Sequence, residues 1–289
     1  MSLLAESPVR LSPREWRELE AAHHYRADDL TAAHRARASR HERHPVEDFL
    51  FTYYSYKPAV LRRWHAGEGV VLSDAAERAG WRWYAPGADP GSVHVDGVSF
   101  RAERSLLVAG VSRILRATAG RAAGFGCFGL HEWAMVYRQH ENRHPEPLRL
   151  GRRGTDDVVE AHDLRCTHFD AFRFFTPDAV PLNRDRPTRD AQSALEQPGC
   201  LHAGMDLYKW SIKLTPLLPG DLVLDAFELA RDIRTLDMRA SPYDLTAWGY
   251  EPVAIETPEG KAEYVRAQRG FSERGQVIRA RMLSLLDGD

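Results

Sequence analysis

The chain reads as mostly α-helical, a single domain over 1–289 with a small β element. Three observations predict this. Helix-opening signatures, a cap followed by proline, stand at Ser12-Pro13-Arg14-Glu15 and Thr257-Pro258-Glu259. Apolar residues recur at helical spacing between them, as in Leu222, Ala226, Leu229, Ile233 and Leu236. Alternating stretches are few and short, at 92–100 and 166–175.

The elements follow in order. From Ser12 a highly charged helix runs to about 43 as an N-terminal arm. Pro45 opens a second helix that buries Phe49, Leu50, Tyr53 and Tyr54. The stretch 67–99, rich in Gly, Pro and Trp, reads as loops, a short helix capped by Ser73 or Asp74, and one hairpin. Helices resume at 102–117 and 130–140. Between 156 and 175 the period changes to two, which predicts one or two strands or an extended segment crossing the core. A polar loop at 177–186 precedes a helix from Thr188. Helices at 201–215, 221–239 and from Thr257 onward complete the chain.

At 43% hydrophobic and 28% charged, the composition excludes a disordered chain and a fibre. The net charge of −2 excludes a uniformly basic nucleic-acid coat and leaves only a local patch. The stretch 101–153, with ten Arg against four Glu, is the candidate patch for phosphate; its arginines could alternatively pair with the acidic stripe Asp221, Asp225, Glu228 and Asp232. No stretch is apolar enough to span a membrane, and the N-terminus has no basic segment followed by an apolar core. Three cysteines with no CxxC spacing read as free thiols, which predicts a cytoplasmic protein.

Each cysteine is followed closely by a histidine. Cys127 and His131 are one helical turn apart, Cys166 and His168 share one side of an extended segment, and Cys200 and His202 meet where a helix begins. Three such pairs could converge on one polar cluster, although ordinary burial of free cysteine explains the thiols equally well. His202, Asp206, Lys209 and Lys213 form one stripe on a single helix. In a pocket, Asp206 would serve as a general base tuned by Lys209 or His202; on a surface the stripe would be solvated. Gly124, Gly126 and Gly129 match GxGxxG, but no strand precedes them, so an unusual loop is preferred to a dinucleotide site.

The blocks HPVEDFLFTYY (44–54), FGLHEWAMVYR (128–138), RCTHFDAFRFFTPDAVPLN (165–183), PGCLHAGMDLYKW (198–210) and VLDAFELARDIR (223–234) resemble an actinobacterial family labelled 3-methyladenine DNA glycosylase. The resemblance implies a hydrolase that cleaves the N-glycosidic bond of an alkylated base, with DNA as partner and no cofactor. Leu218-Pro219-Gly220-Asp221 lacks the second glycine of a glycosylase hairpin, so no catalytic residue carries over by motif. The chemistry asks for a carboxylate, an aromatic pocket and cations for the backbone. Asp206, Glu132, His131 and Lys209 are the catalytic candidates. Arg165, His168, Asp170, Phe172, Arg173, His202, Tyr208 and Trp210 are the substrate-binding candidates, with Phe169 as a further stacking ring. Two alternatives stand beside it. One is a helical metalloenzyme holding zinc, iron or manganese through His131, His168, His202 and Asp206, with Glu132 nearby, and acting on a small molecule. The other is a non-catalytic binding protein using the same pocket.

Overall fold

Ser12 accepts a hydrogen bond from the Glu15 amide while the Glu15 carboxylate accepts one from the Ser12 amide, closing the expected capping box. Helix α1 (Pro13–Ser39) follows it. The computed structural model describes residues 8–140 and 144–287; Arg143 of the basic stretch and the first seven residues lie outside them. After α1 come α2 (Phe49–Tyr53) and α3 (Pro58–Arg62). The stretch that follows holds α4 (Gly97–Glu103) and α5 (Ser105–Ala119), broken at Arg104 where one helix was expected. Next are α6 (Leu130–Ala134), α7 (Gly151–Glu160), α8 (Phe169–Phe172) and α9 (Gln192–Leu195). The chain ends with α10 (Leu201–Lys213), α11 (Gly220–Arg239) and α12 (Pro258–Asp287).

The β element is a four-stranded sheet of β1 (Val9–Leu11), β2 (Val70–Leu72), β3 (Tyr84–Pro86) and β4 (Val93–Val95), ordered β1-β2-β4-β3. The expected hairpin is the antiparallel β3–β4 pair, in register at Ala85 and His94. The parallel β1–β2 pair, which brings the N-terminal end of the chain to the sheet, was not foreseen. Trp16 of α1 is buried and its indole N–H donates to the Ser73 carbonyl, fixing the arm to the sheet.

The alternating region is corrected in part. Residues 151–160 are the helix α7, not a strand. The segment after it does run extended through the core, with Leu164, Cys166 and His168 buried in alternation. It finds only one bridge, Leu164 to Asn183, so no ladder forms, and the chain coils into α8. Asn183 replaces the missing strand: its side chain accepts from the Cys166 amide and donates to the Cys166 carbonyl. The expected helix at 130–140 shortens to the five residues of α6.

The core is centred on α10, which packs against α11 and α12. Nine of its thirteen residues are buried, including Asp206. Of the stripe that could have been solvated, Asp206 is buried, His202 and Lys209 are partly buried, and Lys213 is exposed. The acidic stripe of α11 does face outward, and its partners are Arg26, Arg274 and Arg281 rather than the arginines of 101–153. No described helix is long and apolar enough to cross a membrane.

Candidate metal centre

The three histidines meet. The His131 and His202 ring centroids are 4.5 Å apart, edge to face, and those of His168 and His202 are 5.2 Å apart, nearly parallel. His131 comes from α6, whose entry needs Phe128 at φ 49° and Gly129 at φ 73°. The glycine run thus serves a sharp turn; the element before it is α5, which excludes the strand a dinucleotide fold requires. His202 stands in the first turn of α10, and His168 at the end of the extended segment.

Around the histidines the carboxylates divide into two groups, so the single set of His131, His168, His202 and Asp206 does not form. His168, Glu196 and Asp206 make one group, and His131, His202 and Asp237 the other. In the first, His168 Nε2 is 3.3 Å from Asp206 Oδ2 and 3.2 Å from Glu196 Oε1. Lys209 Nζ sits 2.6 Å from the same Asp206 oxygen, and the Tyr54 hydroxyl donates to the other at 3.3 Å. Lys209 thus supplies Asp206 with a cation from within the protein. Burial pulls the His168 imidazole down, but Asp206 and Glu196 raise it to about 9. Burial raises Asp206, and Lys209 with His168 overcomes this and holds it well below the carboxylate range. So held, Asp206 is a weak base and an effective anchor for the extended segment.

In the second group, His131 Nε2 lies 2.9 Å from Asp237 Oδ1, with both side chains at most 2% exposed. The two atoms pair as ions, and among the described residues neither has a hydrogen bond of good geometry. Candidate ligand atoms of His131, His202 and Asp237 all lie within 4.8 Å of one another. The Cys127 sulfur is 3.6 Å from His131 Nδ1, on the far side of the ring. Arg234 Nη1 donates to Glu132 Oε1 at 3.1 Å and to Asp237 Oδ2 at 3.3 Å. Burial lowers His131, and the Asp237 charge reverses this and takes it well above its ordinary value. His202 goes the other way: burial, His131 and His168 all disfavour its charged form.

His202 is partly exposed and lines a chamber of about 130 Å³ with Glu132, Arg234, Asp170 and an aromatic wall that includes Phe49, Tyr54 and Phe174. Phe49 and His144 also line an outer cleft of about 650 Å³ beside His34, Asp48 and Trp248. On its other side His202 borders a crevice of about 10 Å³ with Cys127, Cys166, Cys200 and His131, so the three Cys/His pairs do converge. Burial pushes the Cys166 and Cys200 thiols up, which keeps them protonated, and neither ligand group contains a cysteine.

Other candidates fall elsewhere. Tyr208 is fully buried among Tyr54, Tyr56 and Phe227. Trp210 lies beneath Lys209, and Phe172 packs against Phe175. Arg165 pairs with Asp163 outside the chamber. Phe169 carries Arg189 on its face, and Arg173 pairs with Asp170 near the chamber. Sequence reasoning missed Glu196, Arg234 and Asp237. The last two had a signal: Phe227, Ala230, Arg234 and Asp237 follow apolar spacing along α11, which places two charges on a core face. Comparison with family models, with curated proteins and with solved structures finds no match for this chain.

Proposed function

We propose that the protein is a metal-dependent enzyme in which His131, His202 and Asp237 hold a divalent iron or manganese ion and a small molecule binds beside it. The observation that carries this is the gathering of His131, His202 and Asp237 in the core, with candidate ligand atoms all within 4.8 Å of one another and His131 Nε2 2.9 Å from Asp237 Oδ1. Two ligand atoms about 2.1 Å from one ion are about 3 Å apart at a right angle and about 3.4 Å apart in a tetrahedron. The 2.9 Å spacing matches two adjacent ligands of a six-coordinate ion. Two histidines and one carboxylate leave coordination positions open, and His202 brings that side to the chamber. A bound ion would supply Lewis acidity or activation of water or dioxygen.

The surrounding residues fit this role. The Cys127 sulfur beside Nδ1 leaves Nε2 of His131 free to ligate, and Arg234 steadies the second Asp237 oxygen. For the glycosylase reading, Glu132 and the aromatic wall are available in the chamber. Its cationic face is weakly supplied: Arg101, Arg116, Arg138 and Arg149 are each engaged by a carboxylate, and Arg121 and Arg152 by backbone carbonyls. The metal reading therefore has the stronger support.

Elemental analysis of purified protein tests it. About one equivalent of iron or manganese per chain is expected, with Asp237→Asn and His131→Ala losing it while keeping helical circular dichroism. Wild-type protein that retains no transition metal after anaerobic loading with either ion would refute the assignment.

A further inference from the structure

A cavity of about 310 Å³ shares no residue with the metal centre or the chamber. Arg63, Trp81, Arg82 and Trp83 border it, together with His65 and Thr215. Each of these arginines rests on an indole of the same wall. The central guanidinium carbon of Arg63 is 5.6 Å from the Trp81 ring centre, and that of Arg82 is 4.2 Å from the Trp83 ring centre. Such stacking steadies an arginine and leaves its N–H groups available to an anion. Both side chains are exposed. Among the described residues no carboxylate borders the cavity. Just outside it, Glu103 pairs with Arg82 at 2.7 Å, and Arg104 lies 5.4 Å from the Trp83 ring centre. Buried Arg78, 4.8 Å from Trp81, is paired with Glu20. Asp96, whose amide donates to the Trp83 carbonyl, accepts from Ser99 with its carboxylate. Four guanidiniums thus stand against three carboxylates, and Arg63 and Arg104 form no ion pair among the described residues. Burial disfavours the charged form of His65, and Arg63, Arg78 and His23 all act in the same direction, as an uncompensated positive charge requires.

We propose that this cavity binds a small phosphate monoester, with Arg63 and Arg82 as the phosphate receptors and a ring-sized body set against the indoles. A phosphate monoester carries close to two negative charges at neutral pH and pairs with guanidinium edges through parallel hydrogen bonds. Two arginines on one cavity suit that charge, whereas a carboxylate needs only one. The cavity has about twice the roughly 150 Å³ of an engineered cavity that accepts benzene, which leaves room for one ring besides the phosphate. Trp81 and Trp83 are partly exposed and offer that ring apolar surface. Glu103 is the internal competitor. Its pair with Arg82, at 63% and 50% exposure, is a weak surface contact that a doubly charged anion can displace. The site stands apart from the metal centre and does not depend on it.

Phenyl phosphate and phenyl sulfate, alike in shape and differing by about one charge at neutral pH, are the probes. Calorimetry on the full chain should show phenyl phosphate binding about tenfold more tightly than phenyl sulfate, or better. Arg63→Gln should weaken phenyl phosphate by about tenfold or more. Glu103→Gln removes the competitor and should tighten it. Both positions are exposed, so both variants should keep the helical circular dichroism of wild type. Equal affinity for the two probes, unweakened binding in Arg63→Gln, or no tightening in Glu103→Gln would each overturn the proposal. Chelation of metal should leave phenyl phosphate binding unchanged; binding that disappears with the metal would place the phosphate on the metal centre and overturn the separate site. An oligothymidylate that binds more tightly than phenyl phosphate, and through Arg63, would assign the cavity to a nucleic-acid backbone and overturn the monoester.

Discussion

His65 shows how one buried side chain makes stability depend on pH. It is 9% exposed and its Nδ1 lies 2.9 Å from the Tyr84 hydroxyl. Burial, with Arg63 and Arg78 nearby, lowers its pKa from 6.5 to about 3. As pH falls below 6.5 the unfolded chain takes up a proton that the folded protein refuses until about 3, so stability is lost across that window. At pH 5.5 the loss from this group is about 1.4 kcal/mol. Urea unfolding of wild type and His65→Gln at pH 7.5 and 5.5 should show the variant losing about that much less; parallel losses would contradict it. At the same scale, the site was half legible. His131, Glu132, His168, His202 and Asp206 were visible as chemistry-bearing residues beside cysteines or on one stripe. Their grouping was not, because Glu132 meets Arg234 across 102 residues and His168 meets Asp206 across 38. Local spacing carries no information about such meetings.

Helices and the β3–β4 hairpin announced themselves, and the β1–β2 pairing did not. The capping box at Ser12 and the periodicity of α10 and α11 placed those elements within a few residues, since both signals are local. The three-residue strands are too short to develop a period, and β1 exists only because β2 is there to pair with it. The alternation in 161–168 marks the extended segment crossing the core, one of the two forms the pattern allowed, and no neighbouring strand turns it into a ladder. The start of α12 gives an element-scale test. A methyl group on Gly260 would come within 2.0 Å of the Ala254 carbonyl oxygen, a backbone atom that cannot step aside, whereas nothing lies within 4 Å at Gly270. Gly260→Ala should destabilise the protein by about 1–3 kcal/mol through overpacking. Gly270→Ala, in the same helix, should stabilise it by up to about 1 kcal/mol. Denaturant midpoints decide, and equal shifts would mean the Ala254 contact is not rigid.

Across the whole molecule, the proposed ligands come from the consecutive helices α10 and α11 and from α6, some seventy residues earlier in the chain. A bound ion would couple them, and its binding energy would add to folding. At a metal concentration a thousandfold above the dissociation constant the gain is about 4 kcal/mol. Chelation should then lower Tm by about 7 °C, the usual scale for a chain of this size. Differential scanning calorimetry with and without chelator would show it, and Asp237→Asn should be indifferent to chelator; an unchanged wild-type Tm counts against a coupled centre. One feature has a wider effect on what this fold can become. The Phe49 ring lies against Arg234 on one side, and with His144 it borders both the inner chamber and the outer cleft. It is a partition between a small room and a large one. The ceiling on ligand size is therefore set by two side chains that take no part in ligation, and trimming them would join the two spaces. The range of accepted molecules can widen while the charged groups beneath stay as they are.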